Sequence, residues 1–357
     1  TEHTNRLCSY SSAIKPALKQ HKWYFVGKNP TEVAVGLRGL AGSGGVLTGG
    51  DYSRMDGRTS NGYRQHVLYP IYLLHFAEEY HGELKQLLER EMVATTTTRR
   101  ARHKAALSGA NISGSGITTD LNTCNAAFNE YAARRRLGQS PGQAFTSLGA
   151  YFGDDSVVRE EVFDAVAGFA SECGMKLERE PRPKCAGEGF VAFLARQYPD
   201  IRTSLASHPD PVRSLRKLTT VTAGRVAPER QLLMKLSLKV KALLETDPHV
   251  PFVSGYGRAL ERVLKLREVK AKASEWEAME RGDADYARKR ALGPYPATQR
   301  DMDLLRPSVA EGLGLTEQEL MKREQQVDAC SSVEDLRGVQ TGVPECSLPE
   351  WARWVQV

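Results

Sequence analysis

Three clusters of polar residues have types and spacing that could do chemistry. The first is Asp51-Tyr52-Ser53-Arg54-Met55-Asp56-Gly57, with four residues between its two carboxylates. The second is Gly153-Asp154-Asp155-Ser156, flanked by Tyr151-Phe152 and Val157-Val158. Apolar residues on both sides of adjacent acids read as a β-hairpin with the acids at its tip. Neighbouring aspartates repel each other, and a divalent cation offsets that repulsion. Mg²⁺ takes hard oxygen ligands, usually one or two carboxylates, with water and phosphate oxygens completing the shell. A pair of such ions can activate an attacking hydroxyl and stabilise a leaving group. Taken singly, each cluster is ordinary: Gly-Asp-Asp suits a tight turn, and Asp51 suits a cap or turn position.

The third cluster lies between them, Ser113-Gly114-Ser115-Gly116-Ile117-Thr118-Thr119-Asp120-Leu121-Asn122-Thr123. Gly114 and Gly116 let the backbone approach a nucleotide or a template closely. Thr118 and Asn122 are four residues apart and so share a helix face. Their short polar groups suit a ribose hydroxyl or a partner carboxylate. The bland alternative is an N-capped helix decorated with Ser and Thr. The three clusters in this order leave that alternative little room.

The elements that must position these groups can be read from periodicity. Leu68 to Leu88 has helical spacing, and a second helix runs from the Ser108–Gly116 loop to about Leu137. Pro141-Gly142 breaks the chain, Phe145–Phe152 reads as a strand, and Val157 begins its return partner. Val162–Cys173 is helical, with Gly174 placed as a C′ glycine. The glycine cluster Ala41–Gly50 reads as mobile or closely approached backbone, and Phe190–Tyr198 as a short strand or a helix start. After Pro211 the pattern is mostly helical, with Leu232, Leu236, Val240 and Leu243 on one face. The expectation is a mixed α/β region over 1–205 and a mainly helical region over 206–357.

Composition sets the frame. The chain has 357 residues, 41% hydrophobic and 26% charged, ordinary globular values that argue against disorder, collagen or coiled coil. No apolar run reaches the roughly 18–20 residues that cross a bilayer. The net charge is +6, unevenly spread: residues 212–272 carry 14 Lys/Arg against 5 Asp/Glu, and residues 299–357 carry 6 against 11. A basic middle fits polyanion binding, and equally a solvated helical surface. None of the six cysteines has metal-site spacing, and their sparseness reads as a reducing compartment. The chain starts at Thr1 rather than Met, which reads as a processed or excised segment.

On these residues the sequence resembles the RNA-dependent RNA polymerases of positive-strand RNA viruses. Asp51/Asp56 looks like their motif A, Ser113–Thr123 like motif B, and Gly153-Asp154-Asp155 like motif C, in the unpermuted order. The wording Asp-Tyr-Ser-Arg-Met-Asp-Gly, the Gly-Asp-Asp-Ser run and Gly189-Phe190-Val191-Ala192-Phe193-Leu194-Ala195-Arg196 are most similar to nodavirus and sinaivirus-type enzymes. The resemblance covers about residues 5–205 and implies an α+β fold. That fold is a right-hand polymerase palm, an antiparallel sheet with an RRM-like βαββαβ core, plus partial fingers and a mainly helical thumb.

The resemblance also implies roles. Asp51, Asp154 and Asp155 hold two Mg²⁺ ions, for which Mn²⁺ can substitute. Asp56, Ser113, Thr118 and Asn122 recognise the ribose of the incoming NTP. Gly114, Gly116, Arg99, Arg100 and Arg196 contact template or product RNA. Lys184, in Pro181-Arg182-Pro183-Lys184, protonates the departing pyrophosphate, with Lys176 as the runner-up. Phe190–Gln197 takes the place of motif E. The implied partners are RNA, NTPs, other replicase regions and host membrane factors, at replication complexes on membranes in the host cytoplasm. One departure stands out. No clear copy of the basic motif F lies upstream of motif A. Arg6-Leu7-Cys8-Ser9-Tyr10 looks like the stretch that comes just after motif F in the family, so the chain reads as beginning late. The alternatives are a replicase fragment that binds RNA with little activity of its own, and a reverse transcriptase. The Asp56/Asn122 pairing argues against the latter.

Overall fold

The computed structural model describes residues 2–92, 95–97, 104–106, 115–219, 229–269, 298–339 and 341. Its backbone contacts divide the chain into two compact units, Thr1–Gly27 with Gly36–Pro181, and Lys28–Val35 with Arg182–Val357. The last strand among the described residues ends at Pro209, and the described elements after it are helical.

The first unit is built on a four-stranded sheet. Its strands are β1 (Leu47–Tyr52), β2 (Ala150–Phe152), β3 (Asp155–Arg159) and β4 (Leu177–Arg179). The spatial order is β2-β3-β1-β4, and every pairing is antiparallel. The helices of this unit include α1 (Glu2–Leu18), α2 (Glu78–Met92), α3 (Thr118–Arg136) and α4 (Phe163–Glu172). In chain order the core reads β1-α3-β2-β3-α4-β4, the expected βαββαβ arrangement.

Local sequence explains these elements. In α1, Leu7, Tyr10, Ile14 and Leu18 recur at helical spacing and are buried in the unit's core beside Leu84, Leu88 and Leu121. In β1, Gly50 is a packing requirement. A Cβ there would come within 2.9 Å of Leu177, 3.0 Å of Ser156 Oγ and 3.1 Å of Phe163. The glycine cluster is thus, in part, a closely approached strand. Helix α4 ends as its sequence demands: Gly174 takes φ +80°, its N–H donates to Ser171 O, and the Met175 N–H donates to Ala170 O.

Two segments differ from the sequence reading. Leu68–Leu88 is not one helix. A π-turn at Arg64–Leu68 leads into Tyr69–His75, Phe76 turns extended, and α2 starts afresh at Glu78. Phe145 belongs to a short helix, Pro141–Thr146, not to a strand. Ser140 and Gln143 form a reciprocal capping box there, which starts a helix where apolar spacing alone read as extended.

The second unit has a three-stranded sheet of β5 (Val191–Phe193), β6 (Arg196–Tyr198) and β7 (His208–Pro209). Its helices among the described residues include α5 (Pro211–Thr219), α6 (Glu229–Thr246), α7 (Val253–Val263), α8 (Gln299–Gly312), α9 (Glu317–Ala329) and α10 (Val333–Gly338). Leu218, Val240, Leu243, Phe252, Leu260, Val309, Leu320 and Val327 share their core. Capping boxes at Thr298, Thr316 and Ser332 start α8, α9 and α10.

Candidate active site

The register of β1 sets Asp51 opposite Asp155 on β3 and opposite Glu178 on β4. Residues directly opposite across an antiparallel pair project from the same face, so these three carboxylates share one side of the sheet. Asp154 occupies the two-residue turn between β2 and β3, closed by the Phe152/Asp155 pair. Gly153 takes φ +65° at the first turn position, where a type II′ hairpin turn needs glycine. The Tyr52 N–H donates to the Asp154 carbonyl at 3.2 Å and ties the turn to the end of β1.

The electrostatics follow from this crowding. The Asp51 carboxyl is pushed above the usual carboxylate range, first by burial and then by the charges of Asp154 and Glu178. Glu180 is raised as well, by burial and by Asp51. Among the described residues, no set of three His, Cys, Asp or Glu closes a shell around a metal position. Mutually repelling carboxylates on an open face are a hard-oxygen donor set of the kind Mg²⁺ uses with water and phosphate oxygens.

Helix α3 supplies the rest of the site. It is buried on nearly all sides although it carries Asp120, Asn122, Thr123, Asn125, Asn129 and Glu130. Polar groups buried in this way need partners, and the partners lie on the acid-bearing segments. Asn122 donates to Asp56 at 2.7 Å, Asn125 to Thr59 at 3.3 Å, and Asn129 to the Tyr52 hydroxyl at 3.2 Å. Thr123 Oγ1 accepts the Gly153 N–H at 2.8 Å. Glu130 accepts the Gly149 N–H at 2.7 Å and the Tyr151 hydroxyl, and pairs with Arg134. At the start of the helix, the buried Asp120 accepts from Ser11 and Tyr24, both at 2.6 Å, which fixes α3 to α1.

The sequence is similar to viral RNA-directed RNA polymerases. No family model matches the sequence. The RNA-directed RNA polymerase of Pieris rapae virus is 30% identical over 341 residues, 94% of this chain and 31% of that protein. The RNA-directed RNA polymerase of striped jack nervous necrosis virus is 34% identical over 269 residues, 74% of this chain and 26% of that protein. The chain is a relative of the nodavirus RNA-directed RNA polymerases. It spans about a third of the length of the curated relatives it matches. Among solved structures, the RNA-dependent RNA polymerase of a human picorbirnavirus aligns with TM-score 0.51 at 12% identity, over 74% of this chain and 52% of that one. That likeness is one of fold.

In this nodavirus polymerase relative, Asp51, Asp154 and Asp155 come together, and Asp56 meets Asn122, with Thr118 half-buried one helical turn before Asn122. Gly116 lies against α1: a Cβ there would collide with Cys8 Sγ and lie 3.3 Å from Cys8 Cα. Ser113, Gly114, Arg99 and Arg100 lie outside the described residues. Lys184 and Arg196 belong to the second unit. The Lys184 and Cys185 N–H groups donate to the Glu311 carboxylate at 2.5 and 2.9 Å. The Arg196 guanidinium bonds both oxygens of Asp247, together with Ser207, and is largely buried. Arg196 is therefore held by an ion pair within the second unit.

Sequence reasoning missed Thr123, Asn125, Asn129, Glu130, Glu178 and Glu180. A signal for the α3 group was present. Asn122, Asn125 and Asn129 recur at three and four residues, and Thr123 and Glu130 at seven, so polar residues occupy positions a buried helix normally fills with apolar ones. Glu178 and Glu180 had no such signal, because only strand pairing brings them to Asp51.

Proposed function

We propose that this chain carries the catalytic core of a viral RNA-directed RNA polymerase. The RNA 3′-hydroxyl attacks the α-phosphate of an NTP paired to the template, and pyrophosphate leaves. The observation that carries the reading is the convergence of motif A and motif C acids, with Asp51 opposite Asp155 and the Asp154 turn bonded to Tyr52. Asp51 and Asp154, with Asp155 assisting, are the residues that would hold two Mg²⁺ or Mn²⁺ ions. When bound, such ions neutralise phosphate charge and lower the pKa of an attacking hydroxyl.

The chain's own groups do the remainder. Asp56 and Asn122, with Ser113 and Thr118, read the ribose hydroxyls, and the Asn122 amide orients the Asp56 carboxylate for that task. Lys184 gives a proton to the departing pyrophosphate, and Glu311 holds the backbone of its loop. Gly114 and Gly116 lie along the template, and Arg99, Arg100 and the basic 212–272 segment supply phosphate contacts that weaken with salt. Template and product RNA, NTPs, other replicase regions and host membrane factors are the partners, at replication complexes on membranes in the host cytoplasm. No helix among the described residues is long and apolar enough to cross a membrane.

The test is template-dependent extension of RNA by the purified chain with Mg²⁺ or Mn²⁺. Asp154→Ala removes a carboxylate and no basic contact, so it abolishes synthesis and leaves RNA binding near the parent value. Appreciable synthesis by that variant overturns the assignment.

A further inference from the structure

We propose that Thr123 is a positioning residue for the Asp154 carboxylate, through a hydroxyl that fastens the turn of motif C to the helix of motif B. The inference deepens the metal-holding role of Asp51 and Asp154 under the proposed function, and rests on it.

The Thr123 side chain is fully buried. Its hydroxyl donates to the Thr119 carbonyl one turn back at 2.6 Å, which fixes where its lone pairs point. One lone pair accepts the Gly153 N–H at 2.8 Å. A two-residue hairpin turn leaves that N–H without a ladder partner, and a buried N–H is costly to leave unpaired. The turn therefore settles where Thr123 can reach it, and Asp154 is the next residue along.

The same helix holds motif A from another side. Asn122, Asn125 and Asn129 lie on one face and bond Asp56, Thr59 and Tyr52. Thr123 and Glu130 lie about 100° around the helix, given roughly 100° per residue, and bond Gly153 and Gly149. One rigid rod thus sets the height of the segment after Asp51 and of the turn that carries Asp154. Thr123 makes the bond on the motif C side that is nearest the acids. A valine at this position keeps the shape and loses the acceptor, so the Gly153 N–H can recover a partner only if the turn moves away from α3, carrying Asp154 away from Asp51.

The experiment titrates Mn²⁺ into the purified 357-residue chain and its variants, with free Mn²⁺ read by electron paramagnetic resonance and folding read by thermal melts. Thr123→Val weakens Mn²⁺ binding on the order of fivefold, the value of one hydrogen bond. Thr123→Ser, which restores the acceptor, binds like the parent. Thr123→Cys, a weak acceptor of similar size, replaces the valine variant if that one fails to fold, with the same expected loss. Ser11→Ala, which removes a bond to Asp120 in the first turn of the helix and none to the Gly153 turn, lowers the melting temperature without moving Mn²⁺ affinity. Parent-like binding by Thr123→Val or Thr123→Cys, or binding by Thr123→Ser as weak as theirs, overturns the proposal. Parent-like binding by Asp154→Ala instead overturns the metal reading beneath it, so the two failures are distinguishable.

Discussion

Asn122 donates its side-chain amide to the Asp56 carboxylate at 2.7 Å, across 66 positions of sequence. The amide is almost buried and the carboxylate half-buried, so the pair is anchored on the protein side and open on the other. A carboxylate held by one donor keeps lone pairs for a hydroxyl of the substrate. Removing the donor frees Asp56 to turn without removing its charge. Asn122→Ala is therefore expected to lower the preference for NTP over dNTP by about tenfold, the worth of one well-placed hydrogen bond. Single-nucleotide incorporation with matched ribo- and deoxyribonucleotides checks this, and an unchanged ratio removes Asn122 from the site.

The Asp51 carboxyl carries a stability cost that the proposed function explains. Burial, Asp154 and Glu178 raise its pKa above the unfolded value. The folded state then holds the proton more tightly than the unfolded state, so stability falls as pH rises through that window, and the loss persists at neutral pH. Asp51→Asn is expected to melt a few degrees higher than the parent at pH 7 without added metal. The advantage disappears below about pH 3.9, where Asp is protonated in the unfolded chain as well. Added Mn²⁺ raises the melting temperature of the parent more than that of the variant. Melting curves over pH, with and without Mn²⁺, decide it.

His208 makes the second unit acid-sensitive. Its ring is completely buried between the Pro209 carbonyl at 2.9 Å and Ser308 at 2.8 Å, and burial pushes its pKa down to about 4. The unfolded chain takes up the proton near 6.5 and the folded one does not until about 4, so stability is lost as pH falls between those values. The gap corresponds to about 3 kcal/mol. Urea unfolding of the parent is expected to show this loss, and of His208→Asn to show a flatter profile. Parallel profiles remove His208 as the cause.

The hairpin between β5 and β6 is turned by Leu194 and Ala195, at φ +56° and +55°. A two-residue turn with both residues left-handed is the type I′ geometry that strongly prefers Asn-Gly, and each left-handed residue with a Cβ costs about 1–2 kcal/mol. The double change Leu194→Asn with Ala195→Gly is expected to stabilise the second unit by about 1–2 kcal/mol. If the apolar tip serves RNA synthesis as motif E, the same change lowers extension while raising the unfolding midpoint. Denaturant unfolding and extension assays on one preparation separate the two effects. An unchanged or lowered midpoint would show that the turn is relaxed as it stands.

The sequence determined the features that depend on near neighbours. The acid tip was legible because apolar pairs flank Gly153-Asp154-Asp155, and the end of α4 because Gly174 suits the left-handed cap. The shared face of Thr118 and Asn122 came from local periodicity, and the βαββαβ order was implied by the polymerase resemblance that the motif wording carries. The segment Pro141–Thr146 misled, because its helix depends on a side-chain capping box that apolar spacing does not record.

Only the tertiary structure decided which distant groups meet. Strand pairing places Glu178 against Asp51, and an ion pair joins Arg196 to Asp247. The docking of α3 turns Thr123 toward Gly153 and Asn129 toward Tyr52. The physical reason is the same in each case. A side chain's direction along its own element is fixed within a few residues. Its partner is fixed by how elements far apart in sequence pack, and one polar residue can satisfy its hydrogen bonds in many packings but finds only one of them in the fold.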